Sequence, residues 1–180
     1  MARKESISKQ MILDTAFALA REEGMANITA RKLAEKAGCS TQPIFRTYQN
    51  MDELLNEVYE KAADFFQDYY SLYPRLGKTP FSDLGMAYIA FAREEKQLFR
   101  MLFMPENRKK GLYELLNGKT ENVKSEIQSA GANGCPDPGT LFMKMWIFIH
   151  GAASMSLTGD YDLSDQETRK MLEEVYYSFI

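Results

Sequence analysis

The stretch that most restricts the fold reads Leu33-Ala34-Glu35-Lys36-Ala37-Gly38-Cys39-Ser40-Thr41-Gln42-Pro43-Ile44-Phe45. Two short helices that cross at close range need a small residue under the crossing, and Ala34 supplies it. The turn between them favours glycine, and Gly38 stands four residues on. The second helix needs apolar residues that face back inward, which Ile44, Phe45 and Tyr48 provide. Pro43 falls in the first turn of that helix, where its missing N–H removes no intrahelical bond. The segment predicts a helix-turn-helix, with an ordinary αα-hairpin as the plainer alternative.

The rest of the chain also reads as helix. Proline is sparse and strict alternation is missing. Ile12, Leu13, Ala16, Phe17 and Ala20 recur at helical spacing, and Gly24 supplies a stop. A second helix begins at Thr29, and a third runs from about Thr41 to Tyr48 with Ser40 as its N-cap. Asn50 and Glu53 have capping-box spacing ahead of a long helix to about Tyr73. A loop at 74–80 leads to a helix over 81–104, bent near 94–97 and ended by Pro105. One or two short helices follow to Ser129. Residues 131–139 read as a loop, 140–158 as an intensely apolar helix, and Ser164 caps a last helix.

Charge is unevenly distributed. The chain carries a net charge of −3, yet residues 1–50 hold eight basic and five acidic side chains, leaving fourteen basic against twenty acidic beyond. A basic head on an acidic body suits a protein that meets phosphate at one end. Two irregularly spaced cysteines, Cys39 and Cys135, make no disulfide framework and fit a reducing cytoplasm. No run of about 18 apolar residues predicts a membrane span. Met1 to Glu5 is basic but leads into no apolar run, unlike a secretory signal. One His, no H-E-x-x-H, no CxxC and no G-x-S-x-G leave no catalytic constellation or metal site. No cofactor is expected. A redox role for Cys39 and a helical interaction module that never meets DNA remain as alternatives.

From Ile12 to Leu55 the sequence resembles the N-terminal domain of the TetR family of bacterial regulators. The resemblance rests on Ile12-Leu13-x-x-Ala16-Phe17, Gly24, and Thr29-x-Arg31-x-Leu33-Ala34-x-x-Ala37-Gly38-x-Ser40. It continues through Ile44-Phe45-Arg46-x-Tyr48 and Leu54-Leu55. It implies an all-α protein with a three-helix DNA-binding domain at residues 1–50. A helical effector-binding and dimerisation domain would occupy 51–180. It implies that Thr29 and Arg31 meet phosphate, that Thr41 and Gln42 face base edges, and that Arg46 and Thr47 reach backbone or bases. Ser40 and Pro43 complete that surface. Phe45 and Met51 depart from the family's usual Tyr and Lys, and each removes a phosphate contact. The partners implied are operator DNA, a small-molecule effector and a second copy, in a cytoplasmic regulator that more often represses than activates.

Further on, Tyr88-x-x-Phe91-Ala92-x-Glu94, Leu98-Phe99-Arg100-x-Leu102-Phe103 and Trp146-x3-His150-Gly151 resemble a subgroup with a C-terminal Trp-His-Gly signature. Helix 140–158 is apolar around most of its girth, so it needs cover on two sides. Its Gly151-Ala152-Ala153-Ser154 patch permits close approach by another helix. Residues 140–158 and 164–180 are therefore the expected dimer seam. Tyr88, Phe91, Phe103, Phe142, Trp146 and His150 are the candidate walls of an effector chamber. The same residues at helical spacing would also serve as plain core, with His150 a satisfied interior imidazole.

Overall fold

The computed structural model describes residues 7–104, 109–118 and 121–180. Met1 to Glu5 and the expected helix stop Pro105 lie outside them. The described residues form ten α-helices and no strand. They are α1 Lys9–Glu23, α2 Ala30–Lys36, α3 Gln42–Thr47, α4 Met51–Leu72, α5 Ser82–Glu94, α6 Lys96–Phe103, α7 Leu112–Asn117, α8 Asn122–Ala132, α9 Pro138–Thr158 and α10 Asp165–Phe179. A 3-10 turn at Met25–Asn27 links α1 to α2.

Local chemistry sets most boundaries. Gly24 ends α1 at φ +88°, a value that glycine adopts without strain, and its N–H donates to Ala20 O. Thr29 caps α2 by accepting from Lys32 N–H at 3.2 Å. Ser164 and Glu167 form a reciprocal capping box that opens α10. At α4, Asn50 Oδ1 accepts from Glu53 N–H at 2.9 Å. Glu53 reaches one residue further back than the box requires, to Gln49 N–H at 2.8 Å.

Three expectations are corrected. The cap position of α3 is Thr41, not Ser40, and no side chain bonds there; Pro43 in the first turn leaves one fewer N–H to satisfy. The helix expected over 81–104 is two helices, because Glu95 leaves helical geometry at φ −118° and ψ 50°. Phe81 is not helical: it sits at φ +66° before α5, its N–H donating to Glu126 Oε2 at 2.8 Å. Its buried ring lies 5.7 Å from that of Phe142. Burial raises the Glu126 carboxyl above its ordinary range, opposed by this bond.

The chain divides into two compact units, Met1–Phe65 with Gln97–Glu106, and Phe66–Lys96 with Asn107–Ile180. Helix α4 contributes its first part to one and its last part to the other. The core of the first gathers Ile12 and Ala16 of α1, Leu33 of α2, Ile44 of α3, Leu54 and Val58 of α4, and Leu98 and Phe99 of α6. In the second unit α5 is the most enclosed helix, since every residue from Leu84 to Ala92 is buried. Helix α9 buries Leu141, Met145, Trp146, Ile149, Ala152, Ala153 and Ser156, but leaves Met143, Ile147 and Met155 exposed. In the small-residue patch, Ala152 and Ala153 are thus buried within the chain, whereas Gly151 has open space beside it.

Gly85 lets α5 approach its neighbours. A Cβ there would stand 3.0 Å from Leu172 Cδ1 and 3.1 Å from Ile149 Cγ1, and both side chains are buried. Gly85→Ala would gain roughly 1 kcal/mol in helix propensity but overpack a filled core at about 1–3 kcal/mol. The variant is expected to be less stable by about 1 kcal/mol in urea unfolding; equal or greater stability would mean that the core has slack.

Candidate nucleic-acid interface and aromatic interior

The first unit presents a helix-turn-helix. Gly38 makes the turn at φ +66°, and Cys39 N–H donates to Ala34 O at 2.9 Å, folding the chain back over α2. Ile44 and Tyr48 are buried and anchor the inner face of α3. Phe45, expected to face inward with them, is instead exposed on the outer side with Thr41, Gln42 and Arg46, because the helical turn that buries Ile44 and Tyr48 carries position 45 outward. Ser40 is exposed just before the helix, while Pro43 and Thr47 are half-buried. The Thr47 hydroxyl donates to Pro43 O at 3.0 Å, so its proton is already engaged within the helix.

Thr29 and Arg31 are exposed at the start of α2. The Thr29 oxygen accepts the cap bond, which leaves its own hydrogen to donate outward. The basic residues differ in a way that sequence does not disclose. Lys32 pairs with Glu23 at 2.6 Å, and Lys36 pairs with Glu22. Arg31 and Arg46 have no ion-pair partner among the described residues. Among the described residues Lys32 and Lys36 are thus balanced, whereas Arg31 and Arg46 keep unbalanced charge on this face.

A network absent from the sequence reading holds α3 in place. Tyr48 Oη donates to Glu57 Oε2 at 3.0 Å, and Lys9 Nζ donates to Glu57 Oε1 at 2.5 Å. Lys9 Nζ also lies 5.2 Å over the Tyr48 ring. The Lys9 hydrogen bond holds the Glu57 carboxyl below its ordinary range, and burial pushes the Tyr48 hydroxyl up. The available signal was Tyr48 itself: an inward tyrosine needs a partner for its hydroxyl.

In the second unit, Tyr88, Phe142, Trp146 and His150 come together. Tyr88 Oη and His150 Nδ1 lie 3.0 Å apart. The Trp146 and His150 rings stack at 5.5 Å and 23°, and Tyr88 meets Trp146 edge-on at 4.8 Å. Phe142 continues the row, 6.4 Å from Trp146. Phe91 packs with Phe66 at 5.0 Å and Tyr69 at 5.3 Å. Phe103 belongs to the first unit, on α6, beside Phe99 at 5.2 Å. A cavity of about 470 Å3 lies elsewhere in the second unit, against Ile147, Gly151 and Met155 of α9, Met171 of α10 and the loop 160–163. None of the six candidate chamber residues lines it. No cluster of three potential metal ligands occurs among the described residues, and no helix there is long and apolar enough to cross a membrane.

A helix-turn-helix followed by an all-helical second unit defines a class of DNA-binding regulator. Residues 12–58 match the family described as bacterial regulatory proteins, tetR family. Residues 81–177 match the tetracyclin repressor-like C-terminal domain. The chain belongs to the TetR family of bacterial transcriptional regulators. Among solved structures, a TetR-family regulator from Haemophilus influenzae Rd is similar at TM-score 0.65 and 17% identity, covering 93% of each chain. A TetR-like regulator from Rhodococcus sp. RHA1 is similar at TM-score 0.61 and 13% identity, covering 97% of this chain and 96% of that one. A putative TetR-family regulator from Mesorhizobium loti reaches TM-score 0.56 at 17% identity, covering 93% and 92%. At these identities the likeness is one of fold. No curated protein matches the chain.

The charge balance generates a test on duplex DNA of arbitrary sequence. Arg31→Ala and Arg46→Ala are each expected to reduce the slope of log affinity against log salt by about one. Lys32→Ala and Lys36→Ala should change it less, since each also frees a glutamate. Anisotropy titrations across a salt series measure the slopes; four equal changes would show that the ion pairs do not matter to binding.

Proposed function

We propose that the chain is a ligand-responsive repressor that binds operator DNA as a dimer and leaves it when a small, largely apolar effector binds. The observation that carries this reading is the outer face of α3. Thr41 and Gln42 stand exposed near Arg46, which has no ion pair among the described residues, on a helix held from behind by Ile44 and Tyr48. Gln42 and Thr41 would read base edges in the major groove, and Gln pairs well with adenine. Thr29, Arg31, Ser40, Pro43, Arg46 and Thr47 would position the protein on the backbone. Residues 1–50 would form the DNA-binding part and 51–180 the effector and dimerisation part of a cytoplasmic protein with no catalytic role.

The second copy would sit on α9 and α10. Ile147 is 67% exposed, and Met143, Met155, Tyr177 and Ile180 are also exposed. Exposed apolar side chains grouped on these two helices favour association. Two-fold pairing would present two recognition helices to half-sites about 34–36 Å apart. An effector held in the second unit near Tyr88, Phe91, Phe142, Trp146 and His150 would release DNA only by binding the released state more tightly.

Sedimentation should give about twice the 20.6 kDa chain mass. Ile147→Glu, which alters a side chain exposed in the single chain, should give a folded monomer at micromolar concentration. A native monomer, or a dimeric Ile147→Glu variant, would overturn the seam.

Trp146, the single tryptophan, reports on the aromatic row. Titration with hydrophobic compounds should change its emission and lower operator affinity together. Emission changes without loss of DNA affinity would refute the coupling. Unchanged ligand affinity in folded Trp146→Ala and His150→Ala dimers would place the chamber elsewhere.

A further inference from the structure

Phe45 is a large apolar side chain on the exposed face of α3. Its side is 52% exposed, while its neighbours Ile44 and Tyr48 are buried. It lies four residues after Thr41 and three after Gln42, so the three share one helical face. The ring has no aromatic, cationic or hydrogen-bonding partner among the described residues. Single exposed apolar residues are common on protein surfaces. Here, however, the exposed residue occupies the face proposed to enter the major groove, among polar side chains.

A phenyl ring in that position has few useful partners. It offers phosphate and the base acceptors no conventional hydrogen bond, and it carries no charge. The apolar group that the major groove displays is the C5-methyl of thymine, and phenylalanine is among the side chains suited to contact it. Burying ring and methyl against each other removes apolar surface from water on both partners.

We infer that Phe45 is a specificity-determining residue that reads the 5-methyl group of a thymine in each operator half-site. The inference rests on the DNA-binding reading above. It gives the exposed ring a positive function where the resemblance suggested only a lost hydroxyl contact. Gln42 reads hydrogen-bonding edges, and Phe45 adds discrimination between thymine and bases without the methyl.

The test begins with selection of bound sequences from random duplex DNA by the full chain. Each thymine of the recovered site is then replaced singly by deoxyuridine, which keeps the pairing edge and lacks the methyl. Affinities are measured by anisotropy for the native chain, Phe45→Ala and Phe45→Leu. At one thymine per half-site the native chain should lose about fourfold, the value of one buried methyl-sized group. Phe45→Ala should bind thymine and uracil forms alike there, while Phe45→Leu retains part of the difference. A flat uracil scan with the native chain overturns the inference and leaves DNA binding intact. So does an undiminished uracil penalty in Phe45→Ala, or a Phe45→Ala loss with no uracil penalty, which would place the ring on deoxyribose. Failure to enrich any sequence overturns the sequence-reading function together with this inference.

Discussion

Helix α9 sets the terms for the second unit, because it is apolar around most of its girth and a single chain covers only part of it. Its inner side faces a crowded interior in which α5 is enclosed and Gly85 lies close to Ile149 and Leu172. Its outer side keeps Met143, Ile147 and Met155 in water. An apolar residue left in solvent forgoes roughly 1.5–3 kcal/mol relative to full burial, so several on one face create a strong drive towards association. The side of α9 buried in the chain organises the core, and the opposite side is the one that the proposed dimer would cover.

Much of this was legible because its signals are local. Gly24, Thr29, Asn50 with Glu53, and Ser164 each act within four residues, and each marks a helix end as expected. The features that escaped depend on distant groups. Phe81 takes a left-handed conformation with its N–H on Glu126, 45 residues away, and its ring against Phe142. Periodicity alone pointed to α9 as the enclosed helix, yet α5 is more deeply buried because small residues Gly85, Ala87, Ala90 and Ala92 let neighbours close around it. Of the candidate chamber, the helical repeat of Phe142, Trp146 and His150 on α9 was readable at i, i+4 spacing. Phe103 was grouped with them by residue type, but belongs to the first unit.

At the DNA-binding face, counting charges was less informative than following their partners. Lys32 and Lys36 contribute to the basic total of the head, yet Glu23 and Glu22 occupy them. Among the described residues of this face, Arg31 and Arg46 have no ion pair to break, so under the proposed function they would meet phosphate at less cost. Exposed pairs are worth about 0–1 kcal/mol, so they do not prevent DNA binding, but breaking one offsets part of what a new phosphate contact supplies. The Tyr48–Glu57–Lys9 network has another purpose. It satisfies a buried hydroxyl directly behind α3, so the outer residues project from a helix fixed on its inner side.

The aromatic row would impose its own condition on an effector bound there as proposed. Tyr88 Oη and His150 Nδ1 lie 3.0 Å apart beside the Trp146 ring, with Tyr88 buried and His150 half-buried. A ligand inserted there would displace this contact, and a buried hydrogen bond lost without replacement costs about 1–3 kcal/mol. A pure hydrocarbon cannot supply the replacement. A mostly apolar molecule with one hydrogen-bonding group can, while its body packs against Trp146 and Phe142. The same condition would limit promiscuity at such a site, because rings alone accept many shapes whereas the Tyr88–His150 pair would have to be matched at one point. The proposed effector class follows from that balance: apolar enough to leave water, with a single polar group to replace the bond it breaks.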